Sequence, residues 1–156
     1  MIIDKIIFGA GCFWGVEATF RKVPGVIETT CGYAGGNTVK PTYEEVCYAK
    51  TGHVEVVLIE YNPIILTFKD LLQVFWDCHD PTTLNRQGPD IGDQYRSVIF
   101  CYTSVQEAEA QVSRDQLQQS GRWRSLIVTE ILPAPTLYPA EAYHQRYFEK
   151  HGLHTN

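Results

Sequence analysis

The chain has 156 residues, 44% of them hydrophobic, and its 13 basic and 18 acidic side chains give a formal charge of −5. Such a length supports one domain, 1–156, with a core that needs no staples, and the acidic balance argues against a nucleic-acid partner, which would require basic surface. No apolar run approaches the roughly 18 residues of a spanning helix, and no basic amphipathic face suits a membrane surface.

The opening "MIIDKIIFGAG" is interrupted by Asp4 and Lys5 and reads poorly as a signal peptide, so the cytoplasm is the expected location. "KIIFG" predicts a first strand. "FWGVEATFRKV" follows with Phe13, Val16, Phe20 and Val23 at helical spacing, and Pro24-Gly25 ends it. "VIETTCGYAGG" predicts a second strand entering a glycine-rich loop, and "PTYEEVC" a short helix. "GHVEVVLIEY", rich in β-branched residues, predicts a third strand. Thr67 with Asp70 three residues on forms a capping-box pattern for the helix "TFKDLLQVFWDCHD". A 15-residue loop is expected from Pro81 to Tyr95, and loops of that length are often functional. "YRSVIFCYT" predicts another strand, Ser104 with Glu107 a helix cap, and Gly121 that helix's end. "SLIVTEIL" predicts a last strand, and a proline-rich tail carries a short helix after Pro139. The expected fold is α+β: a two-layer mixed sheet with a split βαβ (ferredoxin-like) core, covered by helices, with long coil segments.

Cys12 stands where the first strand meets the first helix. A helix N-terminus favours a thiolate. A free thiol with pKa near 8.5 is only about 3% ionised at pH 7, and lowering it by about two units makes most of it thiolate. The alternative is a buried Cys in a tight turn. Gly9, Gly11 and Gly15 suggest a dinucleotide turn, but Trp14 occupies the position that needs a third close glycine, so no nucleotide cofactor is expected. The five cysteines, 12, 31, 47, 78 and 101, include no C-x-x-C and are read as free thiols. Cys47/His53 and Cys78/His79 lack zinc-site spacing, so no metal is expected. A Cys12–His144 hydrolase dyad stays open, because such pairs meet only in the fold. Glu55 sits among valines, where an apolar setting would raise its pKa and suit it to general acid catalysis; an outward Glu on an amphipathic strand is the commoner case. Tyr43 and Tyr95 border loops from which they can donate hydrogen bonds into a site.

Six motifs taken together, "GCFWG" at 11–15, "GYAGG" at 32–36, "PTYEEV" at 41–46, "TGHVEVV" at 51–57, "HDPTTLNRQGPDIGDQYRS" at 79–97 and "YHQRY" at 143–147, resemble the A-type peptide methionine sulfoxide reductases. The resemblance runs from Phe8 to about Phe148. It implies thiol-dependent reduction of methionine-S-sulfoxide, free or in proteins, by way of a Cys sulfenic acid, and so repair of oxidised proteins. It implies Cys12 as nucleophile, Phe13 and Trp14 as the cradle for the substrate methyl, and Glu55 as acid. Tyr43 and Tyr95 would bind the sulfoxide oxygen, and Asp90 would help shape the site. A sulfoxide sulfur is a weak electrophile whose oxygen leaves badly unless protonated, so the reaction needs a thiolate, an acid and an apolar wall. At an ordinary pKa near 4.3 only about 0.2% of Glu55 would be protonated at pH 7, and raising it to about 6.5 costs roughly 3 kcal/mol in the ionised state. Many relatives carry a resolving Cys in a glycine-rich tail; here "KHGLHTN" has none. Regeneration would then fall to an internal thiol, Cys31 or Cys47, or to an external reductant such as thioredoxin, glutaredoxin or glutathione. A non-catalytic module that binds oxidised methionine is the alternative from another class.

Overall fold

The computed structural model describes residues 2–152; the end of the "KHGLHTN" tail, 153–156, lies outside them. The elements in chain order are β1 (Asp4–Ala10), α1 (Phe13–Arg21), β2 (Val26–Ala34), α2 (Tyr43–Tyr48), β3 (Val54–Tyr61), α3 (Phe68–Asp77), β4 (Arg86–Gln87), β5 (Asp90–Ile91), β6 (Ser97–Cys101), α4 (Ser104–Gln119), β7 (Glu130–Pro133), β8 (Tyr138–Pro139) and α5 (Tyr147–Lys150). Single 3₁₀ turns stand at Asp93–Tyr95 and Ala142–His144.

Six strands form one sheet in the order β7-β6-β1-β3-β2-β8. All neighbours are antiparallel except β6 and β7. β3 lies between β1 and β2, the pair that α1 connects, and β1 lies between β3 and β6, the pair that α3 connects. These are the two split βαβ units expected of the core. Apolar runs such as Ile6-Ile7-Phe8 are wholly buried because both sheet faces are covered. Ile6, Phe8, Val57 and Ile59 face the helices, packing with Phe20, Leu71, Phe75 and Trp76. Ile7, Val54, Val56, Val98 and Phe100 face the other way, beneath the coil around Ala134 and Leu137. Alternation along β3 therefore turns Glu55 toward the helical layer.

Local signals explain most boundaries. Thr67 and Asp70 form the predicted reciprocal capping box, and Thr42 and Glu45 form another at α2. Gly121, just past α4, has φ +79°, as a helix-ending glycine should. Three expectations are corrected. The cap of α4 is Thr103, accepting from the Gln106 N–H, and Ser104 is already helical. The 81–95 segment is not structureless: Arg86–Gln87 and Asp90–Ile91 pair as a small hairpin before the 3₁₀ turn. The last predicted strand begins only at Glu130, because its earlier backbone is otherwise engaged. The Ile127 N–H donates to Gln118 Oε1 and the Val128 N–H to the Pro81 carbonyl.

Candidate active site

The chain turns from β1 into α1 at Gly11, whose φ of +96° disfavours any side chain. The turn is also covered: a Cβ there would come within 2.8 Å of the Gln87 side chain. Gln87 in turn clips its own loop, its side-chain amide exchanging two 2.8 Å hydrogen bonds with the Asp80 backbone. The 81–95 segment is thus fastened over the turn that presents Cys12.

Cys12 is the N-cap of α1 and is only partly buried. Directly behind it the Phe13 N–H donates to Glu55 Oε1 at 3.2 Å, so one of the helix's unpaired amides binds the carboxyl that β3 delivers from across the sheet. Glu55 is 1% exposed, and its Oε2 is buried with no hydrogen-bond partner. Burial pushes its pKa up to about 7, with the Asp90 charge adding to the rise and the Phe13 amide opposing it. About half of the molecules then hold Glu55 protonated at neutral pH.

The thiol itself departs from expectation. Burial first, then the Glu55 carboxylate, push Cys12 up to about 11, while the Trp14 and Gly15 amides pull it down. The helix end acts in the expected direction but is outweighed, so the resting group is the thiol. At pH 7 about one molecule in 10⁴ carries the thiolate.

The other expected residues gather round this pair, with Phe13 set deeper. Tyr95 sits in the 3₁₀ turn after the hairpin; burial raises its pKa, and the Glu55, Asp90 and Cys12 charges that add to the rise mark its neighbours. Tyr43, at the start of α2, is raised by burial and by its hydrogen bond to Cys47, with Glu55 and Tyr95 also felt. Its backbone N–H is held by Glu141 Oε2 at 3.0 Å, and Glu141 Oε1 accepts from the Tyr33 hydroxyl. Trp14 is half-buried, its indole N–H donating to His144 Nδ1 at 2.9 Å and its ring stacked on Tyr147 at 3.8 Å. Phe13 is 1% exposed and packs against Tyr33 and His144.

His144 Nδ1 is therefore the indole's acceptor, its Nε2 is buried without a partner, and among the described residues no hydrogen bond joins the ring to Cys12 as a hydrolase dyad needs. His53 is likewise structural. It accepts the Gly36 N–H and contacts the Thr38 carbonyl, pinning the glycine-rich loop. Among the described residues, no group of three or more His, Cys, Asp and Glu side chains could hold a metal ion. No described helix is long and apolar enough to cross a membrane. Sequence reasoning overlooked Glu141 and the supporting roles of His144 and Tyr147; the "YHQRY" motif was the available signal for the latter two. A buried acid with a free oxygen, a thiol beside it, two hydroxyls and an indole wall can together protonate and attack a small polar group carrying an apolar substituent.

Residues 4–156 match the family model described as peptide methionine sulfoxide reductase. Peptide methionine sulfoxide reductase MsrA of Methanoculleus marisnigri is 58% identical over 150 residues, 96% of this chain and 92% of that protein. The structure of reduced Mxr1 from Saccharomyces cerevisiae superposes with a TM-score of 0.91 at 35% identity, covering 99% of this chain and 88% of the other. Mxr1 in complex with Trx2 matches with a TM-score of 0.66 at 27% identity, covering 93% and 84%.

Proposed function

The chain belongs to the A-type peptide methionine sulfoxide reductases and reduces methionine sulfoxide with thiol electrons, and we propose that residues 1–156 act as a single catalytic domain in which Cys12 takes the oxygen of the S epimer. The observation that carries this reading is Glu55, whose Oε1 is held by the amide behind Cys12 while Oε2 is buried and free. Protonated Oε2 donates to the sulfoxide oxygen, as a general acid must. Trp14 walls the S-methyl with Phe13 buried behind it. Tyr95 donates to the same oxygen, Tyr43 does so by turning its hydroxyl proton from Cys47 to the substrate, and Asp90 helps keep Glu55 protonated.

The Cys12 S–H bond breaks and its sulfur attacks. The S–O bond of the sulfoxide breaks, oxygen passes to Cys12, and the electron pair stays on the methionine sulfur. Proton gain at oxygen through Glu55 matches proton loss from the thiol, giving Cys12 sulfenic acid and methionine. A thiol at about 11 is unreactive at rest; it ionises as the oxygen accepts the Glu55 proton, so the nucleophile appears only with substrate in place.

Two external thiols then return the sulfenic acid to thiol, releasing water and leaving a disulfide on the reductant. The other cysteines of this sequence are poor partners. Cys31 is fully buried, and burial, with Glu17, pushes its thiol up. Burial raises Cys47 as well, and its sulfur is engaged by Tyr43. Cys78 and Cys101 are pushed up to about 12, again by burial. The Mxr1–Trx2 complex favours a thioredoxin as reductant over glutaredoxin or glutathione, and the cytoplasm suits such free thiols. The test is consumption of each sulfoxide epimer with dithiothreitol. Turnover of the S epimer alone supports the reading, turnover of the R epimer overturns the stereochemical assignment, and turnover of neither favours a non-catalytic binder.

A further inference from the structure

Glu17 is a carboxylate on α1 that the chemistry above does not use, yet it is 1% exposed. Buried carboxylates are costly unless both oxygens are engaged. Here Oε1 accepts the Arg146 backbone N–H at 2.6 Å, and Oε2 accepts the Thr29 hydroxyl at 3.0 Å. Arg146 adopts φ +55°, ψ +40°, the left-handed region that a residue with a side chain occupies only when its surroundings hold it there. Its guanidinium plays no part at Glu17; it reaches Glu28 and Glu149 at the surface.

The turn at Arg146 joins two residues with one target. His144, on one side of it, accepts the Trp14 indole N–H. Tyr147, on the other, lies flat on the indole, with 7° between the planes. Gln145 anchors the same stretch to β2: its Oε1 accepts the Cys31 N–H and its Nε2 donates to the Cys31 carbonyl. Trp14 is thus gripped at its edge and on its face by a tail segment whose bend Glu17 holds.

We propose that Glu17 is a positioning residue for substrate binding. By holding the left-handed Arg146 turn, it sets the His144–Tyr147 grip that orients Trp14 as the wall for the substrate methyl. The proposal rests on the reading of Trp14 given above. The methyl takes no part in the oxygen transfer, so its contact with the wall is the same before and during the step, and losing it weakens binding with little change in the limiting rate.

The experiment follows the first, reductant-free turnover on methionine-S-sulfoxide as a function of its concentration. Glu17→Ala raises the half-saturating concentration about tenfold or more while the limiting rate stays within about threefold. Glu17→Gln, which can still accept from Arg146 and meet Thr29, returns to within about threefold of the native value. Trp14→Ala alone raises the half-saturating concentration, and adding Glu17→Ala to it brings no further rise. If circular dichroism shows Glu17→Ala unfolded, Glu17→Asp, one methylene too short to reach both partners, is read by the same criteria. An unchanged half-saturating concentration, a loss confined to the limiting rate, or a Glu17 effect that persists in the Trp14→Ala background overturns the proposal. Trp14→Ala without effect overturns the reading of Trp14 itself, whereas Trp14→Ala effective with Glu17 variants silent overturns only the positioning role.

Discussion

Glu55→Gln should make the protein more stable and nearly inactive, and the gain in stability should depend on pH. The Glu55 pKa rises from 4.5 to about 7 in the fold. The folded state therefore holds the proton more tightly than the unfolded chain, and stability contributed by protonated Glu55 is complete below pH 4.5 and lost as pH rises toward 7. A rise of about 2.5 units is worth about 3 kcal/mol. Glutamine copies the protonated acid without its ionisation, so the mutant escapes this loss. In urea denaturation from pH 4 to 9, mutant minus native stability should be flat below pH 4.5, climb between pH 4.5 and 7, and level off about 3 kcal/mol higher. The same substitution removes the proton donor and should slow methionine release in a single turnover by about 10²–10⁴-fold. A difference curve that stays flat across the whole range, or a single-turnover rate equal to native, would refute the assignment of Glu55 as a carboxyl kept protonated by burial.

Tyr43→Phe and Tyr95→Phe should each slow the first turnover by about tenfold or less, and the double variant by more than the product, since both hydroxyls serve one oxygen; a strictly multiplicative double variant would show independent roles. His79, which bridges the Phe75 carbonyl and Ser97 Oγ, is lowered by burial to about 4. Its folded pKa lies below the unfolded 6.5, so stability should fall by about 3 kcal/mol as pH drops from 6.5 to 4, and His79→Asn should flatten that slope in acid denaturation. After excess sulfoxide without reductant, one of the five thiols should be lost, as a dimedone adduct; loss of two with a Cys12–Cys31 or Cys12–Cys47 disulfide formed at the turnover rate would show internal resolution.

Strongly patterned segments announced themselves. β3 with its valines, α3 with its capping box, and the Cys12 turn are local features, and local sequence specifies them. The Arg86–Gln87/Asp90–Ile91 hairpin did not, since two-residue strands have no periodicity to read. At Cys12 the helix end was legible, but the burial and the Glu55 charge that outweigh it come from segments far along the chain. The grip on Trp14 was hidden for the same reason, because His144 lies 130 residues away from it in sequence. Side chains that act alone at an element's end can be foreseen from sequence, whereas networks that close only in the fold cannot.

The most direct test of the account is to mix the enzyme with methionine-S-sulfoxide in the absence of reductant, trap with dimedone, and map the adduct while counting methionine released. One methionine per chain with the adduct on Cys12, and neither product from Cys12→Ser, is the expected result. Methionine formed while Cys12 stays unmodified, or formed by Cys12→Ser at a tenth or more of the native rate, would contradict it.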